Sequence, residues 1–384
     1  MRDRLQRRNR DLLRDIEVLM RAVGEARIPE TLQTYRARLL TVCAKLHTLV
    51  QQNLLYLQIG QTDILEDVLV ITQYSKRRFD LLSTHLAMPV LRAKVDDRLC
   101  LGIIAWQHQA QPQTTSFPPV FCDGEWGIWP FSEMGIPLYY VPSVHQRGLR
   151  FLALSFHETG HLLYLCHKKE LDDLVAELQE NVADMLRPLS QRNDRYAEDQ
   201  AQHRQRIVNT WYAWAQELFC DAVGFTIGGP CYLYAFSHYL NMLHTDDFYQ
   251  QPQDLALSSH PVTWLRIRFL TERAAAAGFT EIARDIDREW RGFAHMMGIV
   301  EDYHGFYHER LHSSVTQTIE DMLVETAPRP YTPEEAAGGG WDPNVDSPIR
   351  LLNWAWQCYL ADPDGYPAWE PDQIQEFLDA IPVA

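Results

Sequence analysis

The stretch Leu154-Ser155-Phe156-His157-Glu158-Thr159-Gly160-His161-Leu162-Leu163-Tyr164 decides how this chain is read. It carries His-Glu-x-x-His inside an apolar run that predicts a buried helix. On a helix, residues four apart lie about 40° from each other around the axis, so both imidazoles reach one metal ion. Zinc asks for imidazole nitrogens at roughly 2 Å, an open position for water, and a base for that water's proton. Glu158, beside the first histidine, is placed to be the base. The plainer alternative is two helical histidines and a surface glutamate. Two buried imidazoles without partners are costly, however, and the apolar flanks bury this helix. The pentapeptide alone leaves the third ligand open.

Two residues compete for that place. His167 has the spacing of the third metzincin ligand, six residues past His161. A helix continuing through residues 162–166 would point it about 120° away from His161. The other is Glu217, within Trp214-Ala215-Gln216-Glu217-Leu218-Phe219-Cys220-Asp221-Ala222-Val223-Gly224. Trp211, Trp214, Leu218 and Ala222 have helical spacing, and Glu217 and Asp221 share the edge of that stripe. Carboxylates among Trp, Phe and Cys are unusual unless something positive meets them. Glu217 therefore reads as the third ligand. Asp221 reads as the acceptor for the free ring N–H of a metal-bound histidine. Alone, the pair would be a solvated helix edge; behind His157 and His161 the metal reading prevails.

His157-Glu158-x-x-His161 followed by Glu217-x-x-x-Asp221 resembles the gluzincin metallopeptidases. Downstream, Ser259-His260-Pro261-Val262-Thr263-Trp264-Leu265-Arg266-Ile267 is similar to the His-Pro-x-x-x-x-Arg-Ile segment of the CaaX-prenyl-protease and heat-shock-metallopeptidase family. The resemblance covers residues about 136 to 267. The best-known members of that family are membrane-embedded and this chain has no such span, so the soluble minigluzincin type is the nearer comparison. The resemblance implies a zincin-like core, one Zn2+ and peptide-bond hydrolysis. It also implies that His260 donates to the developing oxyanion and that Arg266 braces Asp221. The alternative for His260 is a capping or buried structural histidine.

With 384 residues, 46% hydrophobic and 11% aromatic, the chain reads as one large globular domain or two ordinary ones. A net charge of −16 argues against a nucleic-acid partner. No basic start runs into a continuous apolar core, and no run of about 18 apolar residues exists, so neither a signal peptide nor a membrane span is expected. The seven cysteines are scattered and read as reduced core residues of a cytoplasmic protein.

Residues 1–98 carry helical spacing. Leu32, Tyr35, Leu39, Val42, Leu46 and Leu49 form a heptad-like seam suited to an intramolecular bundle or to a partner helix. Residues 100–143 turn to strands: Asp123-Gly124 predicts a hairpin, and the proline-bracketed Leu138, Tyr139 and Tyr140 predict an edge strand that could bind a substrate peptide. Residues 188–205 read as a polar connector, and Pro261 as the opening of a helix. His304, His308 and His312 recur every four residues and predict a solvated helix face. The Pro/Gly-rich residues 327–349 predict a long loop able to act as a lid.

The expectation is therefore an α+β, predominantly α-helical protein: an N-terminal helical region (1–98), a zincin-like core with a small sheet (99–326), and a loop with a helical tail (327–384). The expected activity is zinc-dependent cleavage of an intracellular protein or peptide. The alternatives are a catalytically silent zinc-binding scaffold acting through the N-terminal helices, or a zinc amidohydrolase of non-peptide substrates.

Overall fold

Along Arg2–Glu25 (α1), Leu5, Leu12, Ile16, Leu19 and Val23 are buried, and along Gln33–Ile59 (α2) so are Tyr35, Leu39, Cys43, Leu46, Val50, Leu54 and Leu57. The two helices run antiparallel. Gln6 Nε2 donates to the carbonyl of Leu57, Glu17 meets His47 at 3.1 Å, and Arg36 donates to the carbonyl of Ala26 at 3.1 Å. The seam at residues 32–49 is thus filled from within the chain, by α1. Leu65–Leu81 (α3) adds a third helix, with Val68 joining Leu5, Leu54 and Leu57 in one apolar cluster. Asn9, Asn53 and Thr72 form a polar network between these helices. Asn9 donates to Thr72 at 2.8 Å and Asn53 donates to Asn9 at 3.1 Å, which ties the register of all three.

The computed structural model describes residues 2–59, 65–93, 97–130, 134–186, 197–240 and 244–380. The architecture is α+β and predominantly helical, with one three-stranded sheet among the described residues. The chain divides into two units, residues 2–108 with 116–147, and residues 109–115 with 148–380. This differs from boundaries at 98 and 326. The strands go with the N-terminal helices, and the C-terminal helices go with the core.

The first unit continues through Met88–Leu91 (α4) and Arg98–Ala110 (α5) into the sheet. Its strands are Phe121–Asp123 (β1), Gly127–Trp129 (β2) and Leu138–Val141 (β3), in the order β1-β3-β2. Two expectations are corrected here. Asp123-Gly124 does not close a hairpin: β1 pairs parallel to β3 and β2 pairs antiparallel to it, so β3 enters between them. Gly124 is needed for close approach instead, since a Cβ there would lie 2.8 Å from the ring of Tyr140. And β3 is the central strand, not an edge: Tyr139 faces Phe121 on one side and Ile128 on the other. Leu138, Tyr139 and Tyr140 therefore have no free backbone edge for a peptide. Tyr139 is buried with its hydroxyl 3.0 Å from His108 Nε2.

In the second unit a 3-10 turn at Leu152–Leu154 leads into Ser155–Cys166 (α6), followed by Lys168–Met185 (α7). Ala197–Gly228 (α8) is the spine. Trp211, Trp214, Phe219 and Val223 are fully buried along it, and α6, α7 and several of the later helices pack around it. The connector expected at 188–205 falls partly outside the described residues; the rest, from Ala197, is already α8. Gly229, with φ +62°, turns the chain into Pro230–Leu240 (α9). Pro252–Leu257 (α10), Thr263–Ala276 (α11), Thr280–Met296 (α12), His312–Thr326 (α13), Pro333–Ala337 (α14), Pro348–Ala361 (α15) and Tyr366–Ala380 (α16) complete the unit. Pro261 lies outside α11, which opens at Thr263 after the extended Val262.

His304, His308 and His312 share no helix face. His304 sits at φ +50° in a turn bonded to Tyr249, His308 caps a 3-10 turn, and His312 opens α13 against Tyr307 and Glu272. Nor is 327–349 a loose lid. Tyr331 donates its N–H to Thr226 O at 2.9 Å, and Glu335 of α14 takes Arg329 at 2.7 Å and also accepts from Ser347. The tail is anchored in the same unit: Trp356 Nε1 donates to Arg150 O, and Glu370 accepts the N–H of Leu149.

Candidate metal centre

His157, Glu158 and His161 lie on α6, and the residues facing them, Glu217, Cys220 and Asp221, lie within about one turn of α8. The two helices meet at Gly160, where a Cβ would stand 2.6 Å from Cys220 Cα and 2.9 Å from its sulfur. Only glycine lets α6 come this near. Gly160→Ala should gain about 1 kcal/mol of helix propensity and lose more, since backbone of α8 must shift to make room. A net loss of roughly 1–3 kcal/mol and a lowered Tm are expected in thermal melts. An unchanged Tm would mean the helices are not in this contact.

That approach brings Glu217 between the two imidazoles. Its Oε2 is 3.4 Å from His157 Nε2 and its Oε1 is 3.6 Å from His161 Nε2. A tetrahedral ion with bonds of about 2.0–2.1 Å would hold its donors roughly 3.3–3.4 Å apart, so these spacings fit one shared ion. Glu217 Oε2 also lies 3.3 Å from His260 Nε2 and 3.4 Å from Arg266 Nη2, yet among the described residues this buried atom finds no hydrogen-bond donor. A buried carboxylate oxygen ringed by nitrogens and bonded to none is an arrangement able to meet a cation.

Asp221, one turn beyond Glu217, fixes the geometry behind His157. Its Oδ1 accepts from His157 Nδ1 at 2.9 Å, from Tyr232 OH at 3.0 Å and from Arg266 Nη2 at 2.7 Å; its Oδ2 accepts Arg266 Nε at 2.8 Å. A carboxylate only accepts, so Nδ1 keeps its proton and Nε2 is the nitrogen left for an ion. Arg266 is bidentate on Asp221 and lies over the ring of Phe236 at 4.8 Å. Tyr232 and Cys220 were not singled out from sequence. Cys220 Sγ is 3.4 Å from His161 Nδ1. His157, His161 and Cys220 together form a buried group, donor atoms all within 4.8 Å of one another, that can hold a metal ion.

His260 sits in the turn before α11, side chain exposed, with Nδ1 2.9 Å from Ser259 Oγ. His167 ends α6 and pairs with Glu325 at 3.4 Å, away from Glu217 and the two histidines. A cavity of about 750 Å³ in this unit, lined by Leu218, Phe225, Leu270, Ile319 and Tyr331, touches Asp221 but none of His157, Glu158, His161 or Glu217. It is therefore not the place where an ion would act.

The electrostatics follow from burying so many charges together. Burial alone would lower the imidazole of His157, but its hydrogen bond to Asp221 and the negative charge of Glu217 beside it outweigh this and lift it to about 10. Burial, with the charge of His157, lowers His161 to about 4. Burial raises Glu158 to about 7, partly offset by His157. Burial works to raise Glu217 and Asp221 as well, yet His157 and Arg266 hold both below the usual carboxylate range. The site thus stabilises a cation at His157, the position that a divalent ion would take by displacing a proton.

Among the described residues, no helix is long and apolar enough to cross a membrane. Comparison with protein-family models, with curated proteins and with solved structures finds no match to this chain.

Proposed function

We propose that the second unit is a zinc-dependent metallopeptidase of the gluzincin kind. The observation that carries this is Glu217: both its oxygens face imidazole nitrogens at 3.4 and 3.6 Å, and the buried Oε2 finds no hydrogen-bond donor among the described residues. His157, His161 and Glu217 would hold the ion, and zinc bound there supplies Lewis-acid activation of water and of a carbonyl. Glu158, beside His157 and poised near neutrality by burial, takes the water's proton and returns it to the leaving amine. His260 lies on the exposed side of Glu217 and donates to the oxygen that gains charge. Asp221, held by Arg266, keeps His157 turned toward the ion. A peptide bond as substrate rests on the resemblance of the His157, Glu217 and His260 segments to the gluzincins, because β3 has no free edge. All seven cysteines are free, which fits a reducing, cytoplasmic setting.

The test is metal content by mass spectrometry. Purified protein should hold about one zinc per chain, lost in His161→Ala and Glu217→Ala and kept in His167→Ala. His260→Ala should keep its zinc and lose on the order of a hundredfold in kcat. Zinc stripped by His167→Ala but retained by Glu217→Ala would overturn the ligand assignment.

A further inference from the structure

Each nitrogen of His161 faces a different donor. Nε2 faces Glu217 Oε1 at 3.6 Å, and Nδ1 faces the sulfur of Cys220 at 3.4 Å. His157 is shared by both arrangements, being within reach of Glu217 and part of the three-donor group with Cys220. A tetrahedral ion with a bond of about 2.3 Å to sulfur and 2.0 Å to nitrogen would set those two donors roughly 3.5 Å apart, close to the spacing here. The two histidines are held very differently. Asp221, Tyr232 and Arg266 clamp His157 from behind, while at His161 Nδ1 the hydrogen-bond partner among the described residues is the thiol, and its ring is the more exposed of the two, 25% against 10%. Glu217 Oε2, buried and without a hydrogen-bond donor among the described residues, is able to meet an ion independently of the cysteine.

We propose that the centre carries a second donor set, His157, His161 and Cys220, which captures thiophilic ions such as Cd2+ or Cu+ in place of zinc. Imidazole with carboxylate suits zinc, whereas a thiolate selects softer ions, so one pair of histidines serves two chemistries according to which neighbour on α8 completes the set. Glu217 and Cys220 are three apart on that helix and face the same pair from adjoining positions. Binding through sulfur releases the thiol proton to solvent, and because His157 is shared, occupation of one set excludes the other. This rests on the reading of the site as a metal centre.

The experiment uses the full chain, treated with chelator and then titrated with Cd2+ or with Co2+. With Cd2+, a thiolate-to-metal charge-transfer band should rise in the near ultraviolet in the wild type and be lost in Cys220→Ser, in which every other cysteine remains. With Co2+, ligand-field bands in the visible should persist in Cys220→Ser and be lost in Glu217→Ala, which also reports that the serine variant is folded. Cadmium NMR of the unaltered protein gives the same answer without a substitution, since sulfur and nitrogen–oxygen donor sets resonate far apart. A Cd2+ band that survives Cys220→Ser, or a wild type with no such band, overturns the second set. Failure of the whole metal reading is distinct, because Co2+ would then give no ligand-field bands in any form.

Discussion

Glu158→Gln is expected to lower peptide hydrolysis by roughly a hundred- to ten-thousandfold, with zinc content and Tm unchanged. The carboxylate is buried in α6 directly after His157, and it is not among the donors that meet His161 or Glu217. Glutamine keeps its size and one acceptor but takes up no proton. Nothing in the geometry of His157 on Asp221 depends on it. The loss should therefore fall on kcat, with KM little changed, since the proton moves only in the transition state. Casein and short fluorogenic peptides would read the rate, and mass spectrometry the zinc. A variant that cleaves like the wild type removes the general-base role. A wild type that holds zinc and cleaves nothing points instead to the scaffold reading.

The parts of the molecule that were legible in sequence are those fixed by helical period. His157 with His161, and Glu217 with Asp221, sit four apart on two buried helices, so both faces could be drawn before any tertiary contact was known. The heptad spacing in residues 32–49 likewise announced a helix pair, though not that α1 would be the second member. What was not legible depends on which elements meet. Cys220 reads as one more apolar core residue until Gly160 is seen opposite it; the signal was a glycine between two histidines on a helix with no turn to make. Tyr232 reaches Asp221 only because the chain reverses at Gly229 and lays α9 back toward α8. In the sheet, Asp123-Gly124 has a hairpin's composition, and nothing local says that β3 will be inserted between β1 and β2. The four-residue spacing of His304, His308 and His312 meant nothing once the turn at Gly305 broke the helix that spacing presumes.

Asp221→Ala is expected to destabilise the second unit by about 3–5 kcal/mol and to weaken zinc as well. Four hydrogen bonds converge on this one buried carboxylate, two of them from the guanidinium of Arg266. Removing it strands the Arg266 charge in the core, where Phe236 and the longer 3.4 Å contact to Glu217 are what remain to it. His157 loses the acceptor that selects its tautomer, so zinc affinity should fall by on the order of 10–100-fold. The pH dependence has a definite sign. Asp221 is held below its ordinary range, chiefly by Arg266 against the effect of burial, so its contribution is present above the unfolded value of about 3.9 and fades as pH falls toward the folded one. Melting curves of variant and wild type should therefore lie far apart at neutral pH and converge in acid. The double variant Asp221→Ala, Arg266→Met separates the two roles, because it removes the stranded charge along with its partner. It should regain much of the lost stability and none of the zinc affinity. If the double variant melts no higher than Asp221→Ala, the cost of the single change does not come from Arg266. If it recovers zinc binding as well, His157 is not oriented through Asp221.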